Sequence, residues 1–190
     1  MVPMKKLAPI ITIIFLFLTG SQVAQAQEFA LVIQPPPPGI TVTTITDGEL
    51  DFGRVVQNQG TVRIRLQDAE TEVIRIERSY QSSDWRIFFE WWYNRNITVT
   101  VTADNNLRKG ISASTIPFTV SSAYDNQGET ENKQQAQTFT SSTQFDMPGP
   151  WQEPPENVST VFVYIYGDIT VGNNVEAGDY TGTITIDVTD

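Results

Sequence analysis

Cysteine and histidine are both absent from this 190-residue chain. No disulfide can brace it, so the fold must rest on packing alone. The same absences remove the thiol nucleophile, the usual general base and the commonest zinc ligands. Positive charge is also scarce: 12 Lys and Arg stand against 22 Asp and Glu, a net charge of −10. No run gathers the arginines into a patch, which argues against nucleic acid and anionic membrane surfaces as partners. Missing too is any convincing apolar period of 3.6 residues in the body of the chain, so helices are not expected to build the core.

What is present begins with an export leader. Lys5 and Lys6 precede the uncharged apolar run LAPIITIIFLFLTG at residues 7–20, and small residues follow at Ala24 and Ala26. That order predicts a signal peptide over residues 1–26, cleaved after Ala26, and places the product in the periplasm, at the cell surface or outside the cell. The apolar run is too short for a bilayer span of about 20 residues, so no integral membrane segment is expected after cleavage. Losing both lysines leaves 164 residues with a net charge of −12. That length suits one domain able to bury about two-thirds of its unfolded surface.

Alternation of apolar and polar residues dominates the rest. In TVRIRL, Val62, Ile64 and Leu66 share a face opposite Arg63 and Arg65; in ITVTVTA, Ile97, Val99, Val101 and Ala103 oppose threonines; YTGTITIDV sets Tyr180, Ile184, Ile186 and Val188 against another threonine-rich face. Branching at Cβ suits a pleated surface and crowds a helix. Further strands are expected near residues 41–46, 49–56, 72–79, 138–142 and 161–166, separated by turn signals such as Asn58-Gln59-Gly60. Short strands with one apolar face predict two packed antiparallel sheets over residues 41–190, an immunoglobulin-like sandwich, with a β-barrel as the alternative. Residues 124–137 and 147–157 read as long polar loops. Residues 27–40 stand apart: EFALVIQ alternates Phe29, Leu31 and Ile33 with Glu28, Ala30 and Val32, and then four prolines form a stiff linker. Two readings of this piece are open, a loose tail and a donor strand held away from its own fold for a neighbouring molecule.

The stretch WRIFFEWWYN at residues 85–94 holds six aromatics in ten residues. Read as a strand, it buries Trp85, Ile87, Phe89, Trp91 and Tyr93 and leaves Phe88 and Trp92 among charges on the other face. Those two are candidate contact residues, with Trp151 as a further contact or a lid. Asp and Glu fall mostly on solvent faces and in turns. DNQGETE at residues 125–131 and DNN at 104–106 lack the spacing of a calcium-binding EF-hand loop and read as solvated turns. No cofactor, metal or catalytic site is expected, and the chain reads as a non-enzyme.

Two stretches carry a resemblance. ELDFGRVV at residues 49–56, with Phe52 and Gly53, and GDITVGNNVEAGDYTGTITIDVTD at 167–190, with Gly178, Tyr180 and Gly182, resemble the opening and closing strands of the spore coat protein U and fimbrial-subunit group. An uncharacterised family of surface domains allied to them shares the pattern, and ITVTVTADNNL fits its middle. The resemblance implies an immunoglobulin-like sandwich serving surface structure or adhesion, in a group whose members are often partnered by a chaperone and usher. The chain departs from it in lacking the group's disulfide and in carrying the Trp-rich segment and a long polar insert. The expected function is therefore an exported structural or adhesive protein, pilus- or coat-like, that self-associates or joins a surface assembly through strand edges. The alternative is a carbohydrate-binding module that meets a glycan with exposed aromatics such as Trp92 and Trp151.

Overall fold

A computed structural model describes residues 27–81, 85–127, 130–149 and 157–190. The leader assigned to residues 1–26, and Trp151, lie outside them. In chain order the elements are β1 (Gln27–Ile33), β2 (Ile40–Thr44), β3 (Glu49–Asp51), β4 (Gly60–Ile64), β5 (Glu72–Ser79), α1 (Ile87–Asn94), β6 (Asn96–Ala103), β7 (Asn106–Arg108), β8 (Thr115–Asp125), β9 (Gln137–Phe139), β10 (Ser142–Asp146), β11 (Val158–Val171) and β12 (Tyr180–Thr189). The main path of pairing runs β10-β6-β12-β7-β8-β11-β5-β2. It curls through β8, whose start pairs with β7 and whose remainder pairs with β11. The result is an all-β sandwich with a half-barrel curl, because one strand belongs to both layers.

Alternation builds the core as expected. Ile97, Val99 and Val101 of β6 and Ile184, Ile186 and Val188 of β12 are buried in one cluster with Ile74 and Ile76 of β5 and Val161, Val163 and Ile165 of β11. β11 is covered on both faces. Its Phe162 and Tyr164 form a second small cluster with Val73 and Ala123, packed by Leu66 and Ala136. The Asn132 N–H donates to the Tyr164 hydroxyl at 3.0 Å, so the polar insert supplies this outer cover.

β1 corrects both readings of the N-terminal piece within a single chain. It is neither a loose tail nor a strand held away, and the domain does not begin at residue 41. It lies parallel to β12 and antiparallel to β3, with Phe29 fully buried and Leu31 and Ile33 packed against the core. This parallel pair is the exception to the antiparallel pattern. The proline arm does prevent a tight hairpin, but it delivers the chain to the opposite layer. Four prolines at about 3 Å each span roughly 12 Å, close to the ~10 Å between packed sheets.

Phe29 sits directly opposite Gly182 in register, and its ring lies 3.9 Å from that of Phe118. A Cβ at position 182 would fall 2.3 Å from the Phe29 ring, so the ring occupies the space that glycine leaves open. The other residues of the recognised motif also have physical roles. Gly178 has φ +141°, which favours glycine. The buried Tyr180 donates its hydroxyl to the Glu176 carbonyl four residues upstream at 3.0 Å and meets the Ser114 hydroxyl, a tyrosine corner that fixes the turn into β12. Phe52 is buried and its N–H donates to the Gln27 carbonyl at 2.8 Å, while Gly53 turns the chain with φ +66°.

Phe29→Ala is expected to cost about 3–5 kcal/mol, and Gly182→Ala about 1–3 kcal/mol through overpacking. In the Phe29→Ala background the Gly182→Ala change should become nearly neutral. Urea unfolding of the four chains checks this; simple additivity would separate the two residues.

Candidate functional site: an exposed aromatic helix

Residues 87–94 form a helix, which corrects the strand expected over 85–94. Aromatics favour strands only where a second layer covers them, so their β preference follows context. Here the segment links β5 of one layer to β6 of the other, and a helix satisfies its own backbone while lying on the surface. The exposed residues are Trp85, Phe88, Phe89, Trp92 and Tyr93. Their spacing of i, i+3, i+4, i+7 and i+8 gathers them into one stripe along α1 and the turn before it. Trp85 is 66 % exposed, Trp92 59 % and Tyr93 80 %. Three of the five residues assigned to a buried face are therefore in solvent, together with the candidate contact residues Phe88 and Trp92.

The opposite face anchors the helix. Ile87 is buried, and the half-buried Trp91 donates its indole Nε1–H to the Met147 carbonyl at 3.0 Å. The Gln81 N–H donates to Glu90 Oε1 at 2.8 Å. Arg95, just past the helix, holds its guanidinium 4.2 Å from the Trp92 ring centroid and 5.4 Å from that of Trp91, and pairs with Asp146 at 3.1 Å. Such contacts are worth about 0.5–1 kcal/mol at exposed sites. The arrangement fixes the stripe in place and sets a charged pair at its end. Sequence reasoning missed Arg95 and half the stripe, although the three-and-four spacing of the aromatics was there to find.

A second feature lies at the edge formed by the loop between β2 and β3. A cleft of about 590 Å³ is lined by Asp47, Glu49, Asp51, Glu70 and Glu72. Glu72 is only 2 % exposed, and its Oε2 accepts hydrogen bonds from Thr46 Oγ1 and the Gly48 N–H. Burial pushes its carboxyl up to about 7; the hydrogen bond and charge of Asp47 add to this, while Thr46 and Gly48 oppose it. Glu28 on β1 is raised as well, by burial first and then by Glu49, Asp51 and Asp179. The Gly48 carbonyl in turn accepts the Leu31 N–H at 3.0 Å, so the carboxyl that holds this loop also supports β1. Its role in this geometry is to close the sandwich edge. Of the turns read as solvated, Asp125 is instead buried and accepts the Gln127 N–H at 3.0 Å, whereas Asp104 is exposed and accepts the Thr183 N–H at 2.9 Å.

Because Glu72 is raised in the folded chain, the native state holds its proton while the unfolded state has lost it between about pH 4.5 and 7. Its contribution to stability is complete below that window and falls as pH rises through it. Each pKa unit is worth about 1.4 kcal/mol, and water in the open cleft beside the carboxyl reduces the shift that is realised, so the expected loss is about 1–2 kcal/mol. Glu72→Gln should flatten the unfolding free energy across that pH range. A variant with the same slope as the parent would assign the pH dependence elsewhere.

No protein-family model matches the chain. Nor does any curated protein match it. Among solved structures, the chain is similar to a mutant of CfaE, the CFA/I adhesin of enterotoxigenic E. coli, with 10% identity and a TM-score of 0.31. That match covers 90% of this chain and 48% of the adhesin, so the chain spans about half the adhesin's length.

Proposed function

We propose that this chain is an exported, non-catalytic domain of the cell surface or periplasm that works by adhesive contact, with the α1 stripe as its principal contact surface. The observation that carries the reading is the placement of five large aromatics on the solvent side of one anchored helix and the turn before it. Monomeric proteins rarely leave such a contiguous apolar patch exposed unless it meets something. Aromatic side chains also supply large contact area with few rotors to freeze. The export leader and the resemblance to fimbrial and coat domains support the location, and both belong to the sequence.

A glycan is the second reading, favoured by one detail. Arg95 and Asp146 stand at the end of the stripe beside Trp92, so a ring for stacking and charged groups for hydroxyl recognition adjoin one another. The test is a binding screen of the purified chain against glycan and surface-protein arrays, beside a Phe88→Ala/Trp92→Ala variant. The double variant should keep the parent's circular dichroism and melting temperature and lose binding by about tenfold or more, as removal of central aromatic anchors does. Unchanged binding by the variant would take the contact away from α1, and its partner class follows from which array responds.

A further inference from the structure

The edges of the sandwich are not alike. β3 ends its layer with three residues, two of them Glu49 and Asp51. β9 is also three residues long. At β10, the Asp146 carbonyl accepts the Asn126 side-chain amide at 2.9 Å, which caps that edge. β4 is as long as β2 and pairs with β11 alone, but it carries the charge of Arg63. β2 differs from all four. It is five residues long, reads Ile-Thr-Val-Thr-Thr, and pairs with β5 on one side alone. Short length, charge, proline and bulges are the usual protections of an edge. β2 has neither charge nor proline, and every residue in it is β-branched.

The direction of its backbone groups follows from two hydrogen bonds. The Ser79 N–H donates to the Gly39 carbonyl and the Ile45 N–H to the Val73 carbonyl, at 2.9 and 2.8 Å. Both fit the β2–β5 register, so odd-numbered residues of β2 face β5. Ile40, Val42 and Thr44 must therefore direct their N–H and C=O groups away from the sheet. The Ile40 N–H is already donated to the Pro37 carbonyl at 3.1 Å. Among the described residues, the outward donors of β2 that remain are those of Val42 and Thr44.

We infer that β2 is a self-association edge whose occupant is the β2 strand of a second copy. This goes beyond adhesive contact at α1: it takes up the self-association through strand edges expected from the sequence and names the edge and the partner. A two-fold axis at Val42 lets each Val42 N–H donate to the other copy's Val42 carbonyl, and each Thr44 N–H to the other copy's Ile40 carbonyl. Four bonds form, and they consume every free outward donor of both strands. The one blocked donor, that of Ile40, lies opposite the other copy's Thr44, whose carbonyl accepts no bond across the pair. Thr41 then faces the other copy's Thr43 on the exposed side, with no charge opposing charge.

Sedimentation of the purified chain up to about 1 mM, in about 0.3 M salt to screen its net charge, is the test. The parent should show a monomer–dimer equilibrium. Val42→Pro removes an outward donor and no bond within the monomer, and should weaken the dimer about tenfold or more. Thr41→Lys with Thr43→Lys sets lysine against lysine across the axis and should weaken it as well, even though it lowers the charge of an acidic chain. Thr41→Lys with Thr43→Glu pairs opposite charges and should restore association. Circular dichroism and melting establish that each variant is folded. A parent dimer indifferent to all three variants overturns the β2 edge and leaves assembly standing. A parent that stays monomeric throughout overturns both.

Discussion

The seating of Phe29 on Gly182 is the contact on which the rest of the sandwich depends. It joins the first described strand to the last and buries a whole ring in the space left by one missing Cβ. The Phe118 ring lies against Phe29, and Phe52 approaches Phe118 edge-on at 5.9 Å, so β1, β8, β12 and the segment after β3 meet at one point. Without β1, the β12 edge would lie open along seven registered residues and β3 would have nothing to pair with. A chain with no disulfide has to secure its ends by packing, and this contact does that.

The proline arm and the acidic edge act in support. The Gln34 N–H donates to the Ile186 carbonyl at 2.9 Å, so β1 stays in register with β12 to the first proline. The arm then crosses to the other layer and enters β2. From β2 the chain returns through Thr46–Gly48, held on the Glu72 carboxyl, and reaches β3 beside β1. One circuit of chain thus wraps the edge of both layers. Its outer rim carries carboxylates on β3 and uncharged β-branched residues on β2, which makes one layer repel a neighbour while the other can receive it.

Much of this was legible in the sequence, and the failures have physical reasons. β6 and β12 alternate over a half-buried sheet, so a period of two named their core residues one by one. The glycines and tyrosine near the end are legible because close approach and positive φ leave few alternatives. The aromatic helix was not, since alternation and a three-and-four spacing both fit a run so dense in aromatics. β8 is hidden in the sequence because Pro117 interrupts it, although Ile116 and Phe118 flank that proline as buried core residues. The seat of β1 is not legible because the stiffness of an arm says nothing about which layer it serves. The exposed face of α1 depends on tertiary placement alone: Ile87 and Trp91 are drawn inward by Met147 and the core, and the stripe is what remains.

The central claim is that residues 27–33 are a strand of this sandwich, seated through Phe29. Nuclear Overhauser contacts in the isotope-labelled chain test it most directly. The account predicts cross-peaks from the Phe29 ring to the Gly182 α-protons, with those protons shifted upfield by the ring. Random-coil shifts for residues 27–33, with no contact to β12, would contradict it.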